Sequence, residues 1–220
     1  LGVTRMLEVL RQHNPNIRFF QASSSEIFGQ ATDESQSEQT AIRPRSPYGV
    51  AKAYGHFITI NYRESYDLFA VSGILFNHES PRRGGEFVSR KISRAAALIK
   101  LGRQEKVFLG NLNAERDWGH ASDYVKAMWL MLGQKTPKDY VVATGKKSTV
   151  RDFAKIAFDC VGLDWEKHVE IDSTLYRPAE VDALCGNASL IREELGWQPT
   201  ITLEALIREM VESDLKDLRG

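Results

Sequence analysis

Apolar residues recur along this chain with two different periods. Met6, Leu7 and Leu10 fall at helical spacing within Thr4 to Gln12, and that pattern stops at His13-Asn14-Pro15. Ile17 to Ala22 then reads as a short strand. A polar stretch from Ser23 to Ser46 follows with almost no periodicity. It ends in a strong helix start, Ser46 as N-cap with Pro47 at the first helical position, and the helix predicted from there reaches about Tyr66. Next comes an almost continuous apolar run, Phe69-Ala70-Val71-Ser72-Gly73-Ile74-Leu75-Phe76, the composition of a parallel strand covered on both faces. Further helices are predicted near Val88 to Leu101, Ser122 to Leu132, Val150 to Val161 and Leu203 to Asp217, with a short strand at Tyr140 to Ala143. Helix, strand, helix, strand is the rhythm of an α/β doubly wound sheet. Such sheets bind ligands beyond the carboxyl ends of their strands, so candidate chemistry belongs in Ser23 to Gly29 and Asn77 to Gly85. Only two clear buried strands precede Asn77 and the chain opens inside a helical pattern, which reads as a fold entered midway.

Charge narrows the partners. Lys+Arg and Asp+Glu both total 29, so no net field favours nucleic acid or an anionic membrane. No apolar run approaches the length of a membrane span. Cys160 and Cys185 are the only cysteines and lack C-x-x-C spacing, which fits a soluble protein of the reducing cytoplasm. His13, His56, His78, His120 and His168 form no ligand set such as H-E-x-x-H, so no metal is expected. Gly145-Lys146-Lys147-Ser148-Thr149 lacks the spacing of a phosphate loop, and no G-x-G-x-x-G occurs.

Three clusters can carry chemistry. The chain holds a single Tyr-x-x-x-Lys, Tyr48 with Lys52. Such a pair is common on any helix, but here Tyr48 lies in the first turn after Ser46-Pro47, and Lys52 follows one turn later on the same face. The helix dipole and the ammonium both favour a phenolate, the form a general base requires. Ser23-Ser24-Ser25-Glu26 follows the first strand, where hydroxyls and a carboxylate either contact a sugar or satisfy loop backbone. The topology puts both clusters above one sheet edge. The third, Asn77-His78-Glu79-Ser80-Pro81-Arg82-Arg83-Gly84-Gly85, joins a turn to paired arginines whose planar donors match phosphate oxygens, although a solvated turn has a similar composition. Arg116-Asp117-Trp118-Gly119-His120 and Tyr176-Arg177-Pro178-Ala179-Glu180 also stand out, and each alone reads as structural.

Together with Leu195-Gly196-Trp197-Gln198-Pro199, these segments resemble the extended short-chain dehydrogenases/reductases, and most closely their GDP-mannose 4,6-dehydratase family. The resemblance runs through nearly the whole chain in the family's order. Tyr-x-x-x-Lys marks only the superfamily, whereas Asn-His-Glu-Ser-Pro-Arg-Arg-Gly is far more specific. The resemblance implies the C-terminal part of a doubly wound Rossmann-type parallel sheet plus a smaller α/β substrate domain. Residues 1–77 would complete an NADP-binding domain and 78–220 would mainly hold the nucleotide sugar, with the chain crossing back around 116–145. It implies NADP as cofactor, GDP-mannose as substrate and loss of water between C5 and C6, a lyase reaction of GDP-fucose biosynthesis.

On the matching positions, Tyr48 would take the O4 proton, Lys52 would hold the cofactor ribose and support the phenolate, Ser24 would hydrogen-bond O4, and Glu26 would move the C5 proton to the departing hydroxyl. His78 and Arg83 match cofactor contacts. Asn77, Val88, Lys91, Arg116, Arg177 and Glu180 match positions near the GDP portion. A homo-oligomer, dimer or tetramer, is implied, with the Arg82-Arg83 loop reaching a neighbour's cofactor site. Ser24 stands where the family usually has Thr, Phe28 replaces a Tyr and Asn187-Ala188 replaces Asp-Pro. The family's glycine-rich turn and ribose-binding strand have no counterpart, so the chain is expected to be part of a longer enzyme, without activity by itself.

Two other functions share these features. A nucleotide-sugar epimerase or reductase uses Tyr48 and Lys52 but needs no carboxylate at Glu26. A non-catalytic sugar-nucleotide-binding fragment would fit the missing half.

Overall fold

A computed structural model of the chain describes residues 1–176 and 183–219. Helix α1 (Gly2–His13) leads into strand β1 (Phe19–Ser24), helix α2 (Pro47–Tyr66) and strand β2 (Ala70–Leu75). β1 and β2 pair in parallel, with Phe19 opposite Ala70 and Ser24 opposite Leu75. The sequence pattern places the strand two residues early, at Ile17 to Ala22, because polar Ser23 and Ser24 hide its carboxyl end. Their pairing with Ile74 and Leu75 makes them strand residues. Pairing period sorts the side chains. Phe19 and Ala70 point towards α1 and α2, where they join Leu7, Tyr62 and Leu68. Val71 and Leu75, on the other face, join Tyr124, Ala127 and Met131 of helix α4, introduced below. β2 therefore has helices on both sides, and all six of its residues are buried.

The chain then crosses into a second layer. Strand β3 (Asn77–Glu79) follows β2 after Phe76, and helix α3 (Val88–Lys100), strand β4 (Val107–Leu109), strand β5 (Glu115–His120) and helix α4 (Ala121–Leu132) come next. Strand β6 (Tyr140–Val142) returns to the first sheet, giving the order β1-β2-β6, all parallel. Strand β7 (Lys147–Thr149), helix α5 (Val150–Asp159), strand β8 (Val169–Ile171), helix α6 (Ser189–Leu195) and helix α7 (Leu203–Arg219) complete the described elements. β3-β5-β7 form a second sheet, parallel between β3 and β5 and antiparallel between β5 and β7, while β4 pairs with β8. Ile92, Ala96, Trp118, Phe153, Phe158, Leu206 and Met210 build a second core between α3, α5 and α7.

Local chemistry explains the placement of α2. The Ser46 side chain accepts the Gly49 N–H at 2.9 Å, Pro47 starts the helix, and Asp67 stops it in the left-handed region at φ 54°. Near its far end, the Arg63 guanidinium makes two 2.8 Å bonds to the Asp139 carboxylate, which also accepts the Ser72 N–H at 2.6 Å. That bidentate pair ties α2 to β2 and to the approach to β6.

The two sheets are joined through Asp117, which is fully buried on β5. Its Oδ1 accepts the Thr144 N–H at 2.8 Å and the Thr144 hydroxyl at 2.6 Å, and Oδ2 accepts the N–H groups of Gly145 at 2.9 Å and Gly186 at 3.2 Å. Burial pushes this carboxyl upward from its ordinary pKa and the four donors only partly oppose it. Replacing Asp117 by Leu removes the acceptor from all four donors, and the loss weighs most at the buried Gly186 N–H, at about 1–3 kcal/mol. Asp117→Leu is expected to lower the urea midpoint steeply and Asp117→Asn, which keeps one carbonyl acceptor, less so. Equal stability of Asp117→Leu and the unaltered chain would refute this role.

Candidate active site

The chemistry-bearing residues of the first sheet collect at the carboxyl ends of β1 and β2. Ser24 ends β1, and its hydroxyl oxygen accepts the Glu26 N–H at 3.2 Å, capping the 3-10 turn Ser25–Ile27. That turn departs from the polar character of Ser23 to Ser46, since Ile27 and Phe28 are buried in the first core. Their burial fixes the direction in which Glu26 leaves the sheet. Glu26 is half-buried, and the Ser46 hydroxyl lies 3.5 Å from its Oε2, so the residue that caps α2 also meets this carboxylate.

Tyr48 occupies the first turn of α2 and is 55% exposed. Lys52 lies one turn on. Its ammonium donates to the Ala22 carbonyl of β1 at 2.9 Å and stands 5.5 Å from the centroid of the Tyr48 ring. Gly49 lets the helix come this close: a β-carbon there would stand 2.8 Å from the Glu26 carbonyl oxygen, 3.1 Å from Pro44 Cβ and 3.2 Å from Ser46 Oγ. Ser24, Glu26, Tyr48 and Lys52 are thus brought to one edge by strand end, capped turn and helix start.

Asn77 and His78 continue from β2 beside this edge, opposite Trp118 and Gly119 of β5. The His78 Nδ1 lies 2.8 Å from the Phe76 carbonyl, so Nδ1 carries the proton and Nε2 keeps a lone pair. Its ring stacks on Tyr124 at 4.8 Å between centroids, and burial holds the imidazole below its usual pKa and therefore neutral near pH 7. Arg83 pairs through Nε with the Glu79 Oε2 at 3.1 Å and lies over the Phe87 ring at 3.5 Å.

Three other predicted contacts, Val88, Lys91 and Arg116, lie on elements of the second sheet and core. Val88 begins α3, and Lys91 lies one turn on, lining a cavity of about 260 Å³ with Arg94, Leu98, Lys106 and Phe108. Arg116 lies on β5, where its guanidinium donates to the Glu115 carbonyl at 2.8 Å. Arg177 and Glu180 lie outside the described residues. Among the described residues, no cluster of His, Cys, Asp or Glu could hold a metal ion, and no helix is long and apolar enough to cross a membrane. The sequence reading overlooked the second contact of Ser46 and the backbone approach at Gly49. The capping signal at Ser46 was visible, but its second partner lies twenty residues away, and nothing local distinguishes Gly49 from any helical glycine.

A parallel sheet wrapped by helices on both faces, with ligand-binding residues expected at its carboxyl edge, defines a Rossmann-type α/β protein. Solved structures agree on that fold. RMD from Pseudomonas aeruginosa complexed with NADPH superimposes with a TM-score of 0.89 at 20% identity, covering 98% of this chain and 72% of that one. The dTDP-glucose 4,6-dehydratase of Bacillus anthracis in complex with NAD gives 0.87 at 21% identity, over 99% of this chain and 68% of that one. Within this class the chain belongs to the GDP-mannose 4,6 dehydratase family, whose sequence profile matches residues 1–210. GDP-mannose 4,6 dehydratase 1 of Arabidopsis thaliana is 54% identical over 98% of this chain and 60% of its own length. The Homo sapiens GDP-mannose 4,6 dehydratase is 46% identical over 100% of this chain and 64% of its own. The chain therefore spans about three fifths of the relatives it matches.

Two predictions follow from this geometry. Gly49→Ala gains helix propensity worth about 1 kcal/mol but overpacks the Glu26 carbonyl at a cost of about 1–3 kcal/mol. Its melting temperature is expected to fall, and an increase would show that the turn yields without strain. His56, 6% exposed with no partner for Nδ1 among the described residues, is also held below its free pKa of 6.5 by burial. The unfolded chain then binds more protons than the folded one below pH 6.5, so this contribution is complete above 6.5 and is lost as pH falls towards the lowered folded value. Urea titrations of the unaltered chain and His56→Phe between about pH 7 and 5 should show the shallower pH slope in the variant, by up to about 1.4 kcal/mol per pH unit. Identical slopes would rule out a neutral buried His56.

Proposed function

We propose that this chain carries the proton-transfer residues and much of the nucleotide-sugar site of an enzyme that removes water from GDP-mannose to give GDP-4-keto-6-deoxy-mannose. Family membership supports the substrate, and the carboxylate at Glu26 supports elimination. In this reading residues 1–77 form the C-terminal portion of the cofactor domain and 78–220 hold mainly the nucleotide sugar, with the chain returning to the first lobe around 116–145. The position of β6 beside β2 and the separate core under α3, α5 and α7 support that division.

The residues fit a nicotinamide dinucleotide. His78 offers an acceptor at Nε2, and the terminal nitrogens of Arg83 make no hydrogen bond to any described residue, leaving an edge suited to phosphate. We assign NADP, with Tyr48, Lys52, His78 and Arg83 as its contacts. Held by these residues, the cofactor would supply hydride exchange between C4 and C6 of the hexose. Tyr48 accepts the O4 proton, and the Lys52 ammonium stabilises the phenolate. Because the Ser24 oxygen already accepts the Glu26 N–H, its own proton is left to donate to O4 as carbonyl character develops. The new ketone acidifies the neighbouring C5–H. Glu26 removes that proton and delivers it to the C6 hydroxyl, which departs as water while the C5–C6 double bond forms; as C6 gains hydride, C5 takes the proton that Tyr48 received from O4, and the phenolate is restored. Asn77, Val88, Lys91, Arg116, Arg177 and Glu180 are assigned to the GDP portion. The paired cations Lys91 and Arg94 near the exposed ring of Phe108 support an anionic, aromatic ligand in that lobe.

The same reading places the enzyme in the cytoplasm, in GDP-fucose formation, as a homo-oligomer. Exposed Met6 and Val9 on α1 and Val50 and Phe57 on α2 support an association face. The single observation that carries the function is the gathering of Tyr48, Lys52 and Glu26 at one strand end. Full-length protein incubated with GDP-mannose and NADP should form a 4-keto-6-deoxy sugar, detected by mass loss of one water. Glu26→Gln should slow that loss by about a hundredfold or more, the usual contribution of a general acid–base group. An epimerised or unchanged hexose, or full dehydration by Glu26→Gln, would overturn the reading.

A further inference from the structure

Glu79 is the least expected residue in the Asn77–Gly85 segment. It is 1% exposed, although a free carboxylate at a turn belongs in water. Two groups make that burial tolerable. The Ser89 hydroxyl on α3 donates to its Oε2 at 2.7 Å, and the Arg83 Nε stands 3.1 Å from the same oxygen. The Nε–H is not aligned with that oxygen, so the second contact is an ion pair rather than a directed hydrogen bond. The guanidinium is also covered on one face by the Phe87 ring, 3.5 Å from its central carbon. The turn beneath is braced: the Arg83 N–H donates to the Ser80 carbonyl at 3.0 Å and the Arg82 N–H to the Ser80 hydroxyl at 3.1 Å. A third element holds it from behind. Arg90 donates to the Pro81 carbonyl and pairs with fully buried Asp214 of α7 at 2.9 Å, which also accepts the Ser93 hydroxyl at 2.7 Å.

An arginine clamped at Nε and stacked on one face has lost most of its rotamer freedom before any ligand arrives. Its two terminal nitrogens make no hydrogen bond to any described residue, so the clamp presents the forked edge outward. We propose that Glu79 and Phe87 are positioning residues that pre-orient the Arg83 guanidinium for a nucleotide diphosphate. Glu79 supplies the charge at Nε, Phe87 the platform, and Asp214 acts one link further back by way of Arg90. The ordering cost of the arginine is met within the fold, and binding a phosphate does not have to meet it again. This inference rests on the assignment of Arg83 to the cofactor, whichever copy of the chain holds that cofactor.

NADPH fluorescence titration of the full-length protein separates the two claims. Arg83→Ala should weaken NADPH binding about tenfold or more, as expected for loss of a charge-assisted contact. Glu79→Gln keeps the volume and an acceptor for Ser89 but removes the charge, and Phe87→Leu alters a partly exposed residue without opening the core. Each should weaken NADPH binding by about three- to tenfold, with the cofactor KM raised and kcat little changed, because their cost falls on orientation. In an Arg83→Ala background, Glu79→Gln should add less than about twofold, since a residue acting only through Arg83 has nothing left to orient. If Arg83→Ala binds NADPH like the unaltered protein, the assignment of Arg83 fails. If Arg83→Ala is weakened while Glu79→Gln and Phe87→Leu bind normally, or if Glu79→Gln has its full effect without Arg83, the positioning role fails and the assignment stands.

Discussion

The contact on which the arrangement depends is the close approach of the first turn of α2 to the carboxyl end of β1. A helix backbone can come this near a neighbouring turn only where it carries no side chain, and Gly49 provides that at the Glu26 carbonyl. Electrostatics then hold the approach. Ser46 satisfies the Gly49 N–H and faces the Glu26 carboxylate, while the Lys52 ammonium spans from the same helix to the Ala22 carbonyl. Three interactions of different kinds therefore act on one joint: backbone packing, helix capping and a charge-assisted hydrogen bond. Tyr48 has little freedom to drift from Ser24 and Glu26, because it rides on a helix turn fixed at Ser46, Gly49 and Lys52. The far end of α2 is held independently by Arg63 and Asp139, so the helix cannot pivot about the site.

A second regularity concerns buried charge. Glu79, Asp117, Asp123 and Asp214 are each 0–1% exposed, and all four lie at junctions between elements rather than within one layer. Their environments differ in a way that shows how each is tolerated. Burial raises the Asp117 carboxyl despite its donors. At Asp123 burial acts in the same direction but is outweighed by the Thr200 side chain and backbone, the Ile201 N–H and Lys126, so the pKa is lowered. Asp214 is raised by burial, with Ser93 and Arg90 opposing. An apolar side chain could fill any of these volumes, but it could not accept the backbone N–H groups held by Asp117 and Asp123 or pair with the serine hydroxyls and arginines at Glu79 and Asp214. The carboxylates act as directional fasteners between segments distant in sequence, and the second sheet keeps its register against the first through Asp117.

Much of this architecture was visible in the chain itself. The apolar run Phe69 to Phe76, the Ser46-Pro47 start and the periodic stretches of α3, α5 and α7 announce their elements because burial on a fixed period leaves a fixed pattern. Most short strands do not: among the three-residue strands only β6, inside the apolar run Tyr140 to Ala143, was legible, while β3, β4, β7 and β8 are too brief for any alternation to register. Ile27 and Phe28 lie in a polar stretch and read as loop, yet they enter the first core because the Ser24 cap turns the chain inward. In the candidate site, residue types were legible and their fastenings were not. Tyr48, Lys52 and Glu26 could be named from spacing and resemblance, whereas the partners that hold them, the Ala22 carbonyl and the Gly49 backbone, carry no distinctive side chain. At Arg83 the phosphate-binding potential could be read from composition, but the clamp depends on Glu79 being buried, which no local pattern reveals.

The likeness to structures of only 20–22% identity bears on where specificity resides. Fold similarity extends across a dTDP-glucose 4,6-dehydratase and a UDP-glucose 4-epimerase alike, so the sheet and its helices do not choose between elimination and epimerisation. What differs must lie in side chains placed on that scaffold. Both reactions need a proton acceptor beside the sugar hydroxyl, the task assigned to Tyr48 with Lys52. Only elimination also needs a group that withdraws a proton from carbon and returns it to a leaving hydroxyl, and a carboxylate on a short turn between strand and helix has the reach for this. Glu26 occupies such a turn, with its backbone N–H held by Ser24 and its carboxylate facing Ser46. The buried Ile27 and Phe28 fix the turn while the carboxylate remains half-exposed, so rigidity and access come from successive residues of one segment. In the proposed reading, a scaffold shared with epimerases is committed to dehydration by the carboxylate that this one short turn carries.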